Sequence, residues 1–415
     1  MTSGPGNYTA SQVTEEDAAA AAGRADRPPS EVNPDNEDAF SDISDSELLQ
    51  LQDTAEMGDR SLPEERRKPA EDRMTPLKSG DLNAPPEEGL YKDGAEENLS
   101  QDILQRKRKT EVEIPLEKYS LRYLNVTDIS SQVWCEQQTM YKMEQPELVK
   151  PERTAAMREG SSIHLARELE VHDIVSVTTQ TREDSWAIKC LNILAMMPVL
   201  QSGGQVREFP VFGELDGIYV MGVIDELGYS SRGELELREL KTRASPTLPG
   251  SAQKRTHEIQ VSLYKLLFDG LVSGVLQPDV FMQHLKLRPG QELGPEVKKH
   301  ATGSGLTVST FRDLLELTCL NLKYSELPMI DSLKLEYCFQ GDGSLLGCDE
   351  VRFEKEKVLG EVTFYLSYWK GLREVKGVDI EDAWKCRMCE YSSICEWRAQ
   401  KTKSIALQML NKRFK

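Results

Sequence analysis

From about residue 115 the chain shows regular alternation of apolar and polar positions. Residues 130 to 144 and 154 to 170 have helical patterning, the first carrying Trp134 and Cys135 and the second Gly160 and His164. Another helix is expected around 184 to 197. Residues 206 to 241 then run as successive strands, with nearly continuous apolar residues at 218 to 224, the pattern of a strand covered on both faces. A helix over 252 to 272, a strand over 279 to 287, a helix over 307 to 326, strands over 332 to 340 and 349 to 355, and a helix over 357 to 374 complete the pattern before a cysteine-bearing end. Strands followed by crossover helices predict an α/β fold with a central mixed sheet flanked by helices. No fixed-period repeat points to a solenoid.

Before residue 115 that patterning is missing. Residues 1 to 100 hold 24 acidic against 9 basic side chains and few large apolar residues beyond Leu48, Leu49 and Leu51, so they cannot build a core. The division expected is a disordered acidic tail over 1 to 114, one folded domain over 115 to 400, and a basic extension over 401 to 415. Residues 101 to 415 carry 45 acids and 42 bases, so the formal charge of −18 belongs mainly to the tail. It does not argue against nucleic acid as a partner of the domain. Arg106, Lys107, Arg108 and Lys109 close the tail and read either as a nuclear import signal or as a solvated linker.

There is no apolar run of membrane-crossing length and no signal-peptide core, so a soluble intracellular protein without a membrane partner is expected. Glu15, Glu16 and Asp17 fit a mitochondrial presequence poorly. The nucleus is the expected compartment, with the cytosol and the mitochondrion as alternatives. In a reducing compartment the eight cysteines are expected as free thiols or metal ligands, not disulfides.

Candidate chemistry begins at GVIDELGYSSRGELELRELK, residues 222 to 241. Asp225 closes an apolar run, where a carboxylate carries a desolvation cost unless a cation meets it. Glu239 and Lys241, two apart in a strand, share a face. If the two strands are neighbours, two carboxylates and one ammonium converge at the sheet edge, a set that suits Mg²⁺ and phosphodiester hydrolysis. A surface hairpin with ordinary charges is the alternative. His164, in GSSIH, is either a further ligand or a structural histidine. Gln260 and Tyr264, in QVSLY, share a helix face with Leu267 and Phe268, and a core stripe explains Tyr264 equally well.

The ordered series GSSIH, EFP at 208 to 210, GVID, ELK and QVSLY resembles the RecB-like branch of the PD-(D/E)xK nuclease superfamily. The resemblance implies a restriction-endonuclease-type core with His164, Asp225 and Glu239 as Mg²⁺ ligands and Lys241 as the catalytic lysine. It makes Gln260 and Tyr264 organisers of the catalytic site and Glu208 an additional acid.

KCRMCEYSSICEWR holds Cys386, Cys389 and Cys395, one thiolate short of a usual zinc or iron–sulfur set. Cys135, 251 positions before Cys386, is a candidate for the fourth. One cysteine ahead of the nuclease motifs and three behind them resembles the iron–sulfur staple of certain RecB-like nucleases, implying a [4Fe–4S] cluster on these four; zinc is the alternative. Cys190, Cys319, Cys338 and Cys348 are read as small core residues.

No GxxxxGK[ST] motif is present, so no P-loop motor is expected. The split cysteine pattern, WCEQQ and CRMCEYSSICEWR resemble the eukaryotic exonuclease V family over about residues 115 to 400. That resemblance implies a monomeric, Mg²⁺-dependent single-strand DNA exonuclease of genome maintenance. Such an enzyme loads on a free end, releases short oligonucleotides, and has a single-strand DNA-binding protein and repair factors as further partners. Lys254, Arg255, Lys298, Lys299 and His300, with Lys401, Lys403, Lys412, Arg413 and Lys415, are candidates for the DNA groove, or else solvated faces. A catalytically inert DNA-binding adaptor and a flap or RNA endonuclease are the competing functions.

Overall fold

In the computed structural model, the described residues are 114 to 149, 151 to 169 and 177 to 413. The acidic tail and the basic run at 106 to 109 lie outside them, as do the side chains of Lys412, Arg413 and Lys415. Helices α1 (Pro115–Lys118) and α2 (Val126–Glu144) flank the short β1 (Leu124–Asn125). There follow α3 (Pro151–Glu168), α4 (Arg182–Gln201), and strands β2 (Val206–Leu215), β3 (Ile218–Tyr229) and β4 (Leu235–Arg243). Next come helices α5 (Ser251–Val272), α6 (Pro278–His284), α7 (Pro295–Gly303) and α8 (Phe311–Tyr324). Strands β5 (Ser332–Phe339) and β6 (Leu345–Val351), α9 (Lys355–Trp369), a 3-10 turn (Ile380–Arg387) and α10 (Glu396–Arg413) end the chain.

The six strands form one mixed sheet. Its order is β1-β3-β4-β5-β6, with β2 also paired to β3; β1/β3 and β4/β5 are parallel and the other pairs antiparallel. This is the mixed α/β sheet the patterning predicted. One edge of β3 is followed by β2 along nearly its whole length. The other edge is divided: β1 pairs with Val220 and Met221, and β4 pairs only from Glu226 to Tyr229. Residues 222 to 225, including Asp225, lie in the gap between those two ladders.

Helix α5 packs on the sheet through buried Ile259, Leu263, Tyr264, Leu267 and Phe268, with Phe268 edge-on to Phe209 at 5.5 Å between centroids. At the other end Trp186, Phe212, Tyr219 and Phe281 interlock, the closest pair being Trp186 and Phe281 at 4.9 Å. Gly222 is where β3 meets α5. A Cβ there would stand 2.4 Å from Tyr264 Cε1 and 2.9 Å from Val126 Cγ2. Gly222→Ala is therefore expected to cost about 1–3 kcal/mol by overpacking, measured as a lower urea midpoint with an unchanged m-value.

Four expectations need correction. Residues 279 to 287 form helix α6 and its exit, not a strand: Pro278 occupies the first helical turn, and Phe281 and Met282 bury on one side. The β-forming Val280 and Phe281 had suggested otherwise. Strand β6 lies at Leu345–Val351, earlier than 349 to 355. Helix α9 stops at Trp369, before 374, because Gly371 takes a left-handed conformation (φ 67°) and its N–H reaches back to Tyr368 O. Cys190 and Cys338 are buried as expected, but Cys348 is exposed on β6, the edge strand. Among the described residues no helix is long and apolar enough to cross a membrane.

Candidate active site

The β3/β4 ladder ends at Glu226 opposite Arg238, and beyond it the strands part. Asp225 fills the opening: its Oδ2 accepts the backbone N–H of Leu240 at 2.8 Å. Across the β2 edge, Glu208 lies between Arg207 and Phe209, which pair with Glu226 and Ile224. Its φ of 53° places a non-glycine residue in the left-handed region, a strain of about 1–3 kcal/mol. Pro210, two residues on, is tolerated because β2 is paired on one side only.

Helix α3 brings His164 over these acids, with Nδ1 3.8 Å from Asp225 Oδ2. The helix is tied to the sheet by Arg167, which meets Glu336 and the Cys338 sulfur, both at 3.2 Å. Gln340 also donates to Ala156 O at 2.9 Å. His164, Glu208 and Asp225 each offer a ligand atom within 4.8 Å of the others, and among the described residues no other group of three His, Cys, Asp or Glu does so. One imidazole nitrogen and two carboxylate oxygens at that spacing fit a divalent cation.

Glu239 and Lys241 share one face of β4 and are almost fully buried, with Lys241 Nζ 3.2 Å from Glu239 Oε1. Gln260, on α5, joins them: its Oε1 accepts from Lys241 Nζ at 2.8 Å, and its Nε2 donates to Glu239 Oε1 at 2.9 Å and to Tyr264 O–H at 3.0 Å. Two spaced sequence motifs thus become one hydrogen-bonded unit. Nearby His257 is kept neutral, its pKa well below the ordinary value because of burial first and then Lys241, Arg243 and Lys254.

A solvent-open cleft lies at this site. His164, Glu208 and Asp225 line it together with Arg167, Arg207 and Arg238. The last two meet on Glu226, at 2.9 and 2.6 Å.

A second constellation lies where the chain's end returns to α2. Helix α2 is interrupted at Cys135, whose backbone is extended (φ −167°, ψ 114°). Next to it, buried Glu136 accepts two hydrogen bonds from Arg373, at 2.7 and 2.6 Å, and one from the Lys376 N–H at 2.6 Å. Tyr141 stacks on Tyr391 at 5.8 Å. These contacts bring Cys135 into one pocket with Cys386, Cys389 and Cys395. Burial raises the Cys135 thiol to about 12 and raises those of Cys386 and Cys389 as well, with neighbouring cysteines adding to the effect. Four thiols lining one pocket are a donor set for a metal centre, zinc or iron–sulfur.

A family profile described as exonuclease V, a 5′ deoxyribonuclease, matches residues 115 to 239, 229 to 304 and 296 to 398. Exonuclease V of Danio rerio is 43% identical over 368 residues, which is 87% of this chain and 93% of that protein. The chain belongs to the exonuclease V family. The crystal structure of SSO0001 aligns with 72% of this chain and 92% of its own at 13% identity and a TM-score of 0.30, too distant to inform the site.

In this member of the exonuclease V family the structure sorts the expected residues into two adjoining groups. Glu208, read only as an additional acid, stands with His164 and Asp225, whereas Glu239 is engaged by Lys241 and Gln260. Lys254 and Arg255 instead ion-pair with Asp349 (2.7 Å) and with Glu258 (3.0 Å) and Glu361. Lys298 and Lys299 pair with Glu292 (2.8 Å) and Glu296 (3.6 Å), and none of these four lines the cleft. The cleft arginines Arg167, Arg207 and Arg238 were missed. Arg207 and Arg238 lie within or beside the EFP and ELK motifs, and that adjacency was the available signal.

Proposed function

We propose that this chain is a Mg²⁺-dependent exonuclease that hydrolyses single-stranded DNA from a free end. The observation that carries the reading is the His164, Glu208 and Asp225 donor group beside the buried Glu239–Lys241–Gln260 unit, in a chain of the exonuclease V family. His164, Glu208 and Asp225 would hold the cation, with Glu239 next to them. When bound, the ion stabilises charge on the phosphate and eases deprotonation of water. Lys241, held by Glu239 and Gln260, donates to the attacking water and fixes its approach. Tyr264, through Gln260, keeps that unit in register with the sheet. Arg167, Arg207 and Arg238, each already paired to a carboxylate, would offer their remaining N–H donors to phosphate oxygens at the cleft.

The resemblance of WCEQQ, CRMCEYSSICEWR and the split cysteine pattern to the single-strand exonucleases of this family supports a single strand as substrate. The family's description as a 5′ deoxyribonuclease supports attack from the 5′ end. Cys135, Cys386, Cys389 and Cys395 would hold a [4Fe–4S] cluster that joins the two ends of the domain. The basic run at 106 to 109 supports a nuclear address and, with it, a role in genome maintenance.

The test uses linear single-stranded, duplex and circular single-stranded DNA with Mg²⁺ and with excess chelator. Cleavage limited to linear single strands and abolished by chelation is expected. Cutting of circles would instead mean an endonuclease, and binding without cutting by metal-loaded protein would mean a DNA-binding adaptor.

The buried ion pair separates stability from chemistry. Lys241→Met should cost about 3–5 kcal/mol because Glu239 loses its buried counter-charge. Adding Glu239→Gln should recover most of that stability, with cleavage still lost. Paired denaturation and activity measurements check both.

A further inference from the structure

Lys385 is a charged side chain in a place that ordinarily excludes one. It lies on the 3-10 turn directly before Cys386 and is only 6% exposed. Its ammonium stands 4.8 Å above the Trp134 ring and 6.0 Å from that of Trp384, and the two indoles meet edge to face at 5.6 Å. Its polar contacts are Asp382 Oδ2 at 2.9 Å and Trp134 O at 3.5 Å. Asp382 is 44% exposed, so it compensates the ammonium from the solvent side only and leaves the side facing the pocket to be balanced. Trp134 and Lys385 line the same pocket as the four cysteines.

A buried ammonium is costly unless nearby negative charge compensates it. Here that charge arises when the pocket is filled. Four thiolates around a [4Fe–4S]²⁺ core carry a net charge of −2, and four thiolates around Zn²⁺ carry the same. We propose that Lys385, clamped by Trp134 and Trp384, is the fixed counter-charge of this thiolate site and holds the metal in place without ligating it. This rests on the reading that Cys135, Cys386, Cys389 and Cys395 bind metal. It does not depend on which metal is bound. The indoles have a specific part: their faces attract the ammonium and fix its position beside the sulfurs, while excluding water that would screen it. Lys385 is thus a positioning residue for the cofactor, and no proton transfer is assigned to it.

The test compares wild type, Lys385→Met and Lys385→Arg, each full length and reconstituted with ferrous iron and sulfide. Metal release to an excess of iron chelator is followed by the visible absorbance, and the thermal midpoint of each chelated form is then measured. Lys385→Met should release metal about 10- to 100-fold faster, the scale seen when an outer partner of a metal site is removed. Lys385→Arg should stay near wild type. The chelated Lys385→Met protein should be no less stable than chelated wild type, since without the thiolate charge the lysine has little to compensate.

Equal release rates for wild type and Lys385→Met would overturn the proposal. So would equal destabilisation by Lys385→Met with and without metal, which is the mark of a packing role. If wild type itself takes up neither the iron–sulfur cluster nor added zinc, the metal reading fails first, and that outcome is distinguishable from the other two.

Discussion

Asp225→Asn is expected to abolish DNA cleavage while leaving the fold intact. The amide is isosteric, and its carbonyl oxygen can still accept the Leu240 N–H that Asp225 Oδ2 accepts at 2.8 Å. What it loses is the negative charge at the point where Asp225 faces His164 and Glu208. Losing a single preorganised electrostatic partner commonly lowers rates by two to three orders of magnitude. Here the same change also weakens cation binding, so a fall of about a thousandfold or more is expected. Single-turnover cleavage of an end-labelled strand, titrated with Mg²⁺, measures it. Near wild-type cleavage by the variant would remove Asp225 from the chemistry and with it the proposed site. The denaturation midpoint is the control: a large drop there would mean that the activity loss reports unfolding.

Cys389→Ser is expected to have the largest effect on stability. A bound metal on the four cysteines closes a loop of 251 positions between Cys135 and Cys386. On a chain-entropy model, one crosslink of that span contributes roughly 5 kcal/mol. A domain's whole stability is only about 5–15 kcal/mol, so the variant is expected to be marginal at physiological temperature. The serine hydroxyl is a poor replacement for a thiolate, and the visible absorbance of an iron–sulfur cluster should disappear with it. Cys348→Ser is the internal control, because its thiol is exposed on β6, outside the four-cysteine pocket, and should alter neither absorbance nor midpoint. If both variants unfold like wild type, the four cysteines do not staple the domain.

Much of the fold was legible because its signals are local. The apolar run over 218 to 224 marked β3, and the motifs GVID and ELK put Asp225 and the Glu239–Lys241 pair on strands, whose pairing as neighbours is seen only in the sheet. The periodicity over 252 to 272 gave α5 nearly to its ends, and QVSLY put Gln260 and Tyr264 on its buried face. Local signals failed where two propensities compete over a short run. At 278 to 284 a helix-starting proline prevailed over β-forming neighbours, since burial of Phe281 and Met282 decided the outcome.

The sequence by itself determined the residue types, their order along the chain and the faces they occupy, because strand and helix periods follow from backbone geometry alone. It also specified the two cysteine groups, but not that they meet. Only the tertiary structure decided that β1 and β4 leave a gap on β3 at Asp225, and that Glu208 turns left-handed beside it. The structure likewise decided that Gln260 joins Glu239 to Lys241, and that the broken helix at Cys135 faces residues 251 positions away. Each of these depends on the free energy of packing distant segments together. A charge such as Lys385 becomes informative only when its surroundings are known, because the same lysine on an open surface has no cost to explain.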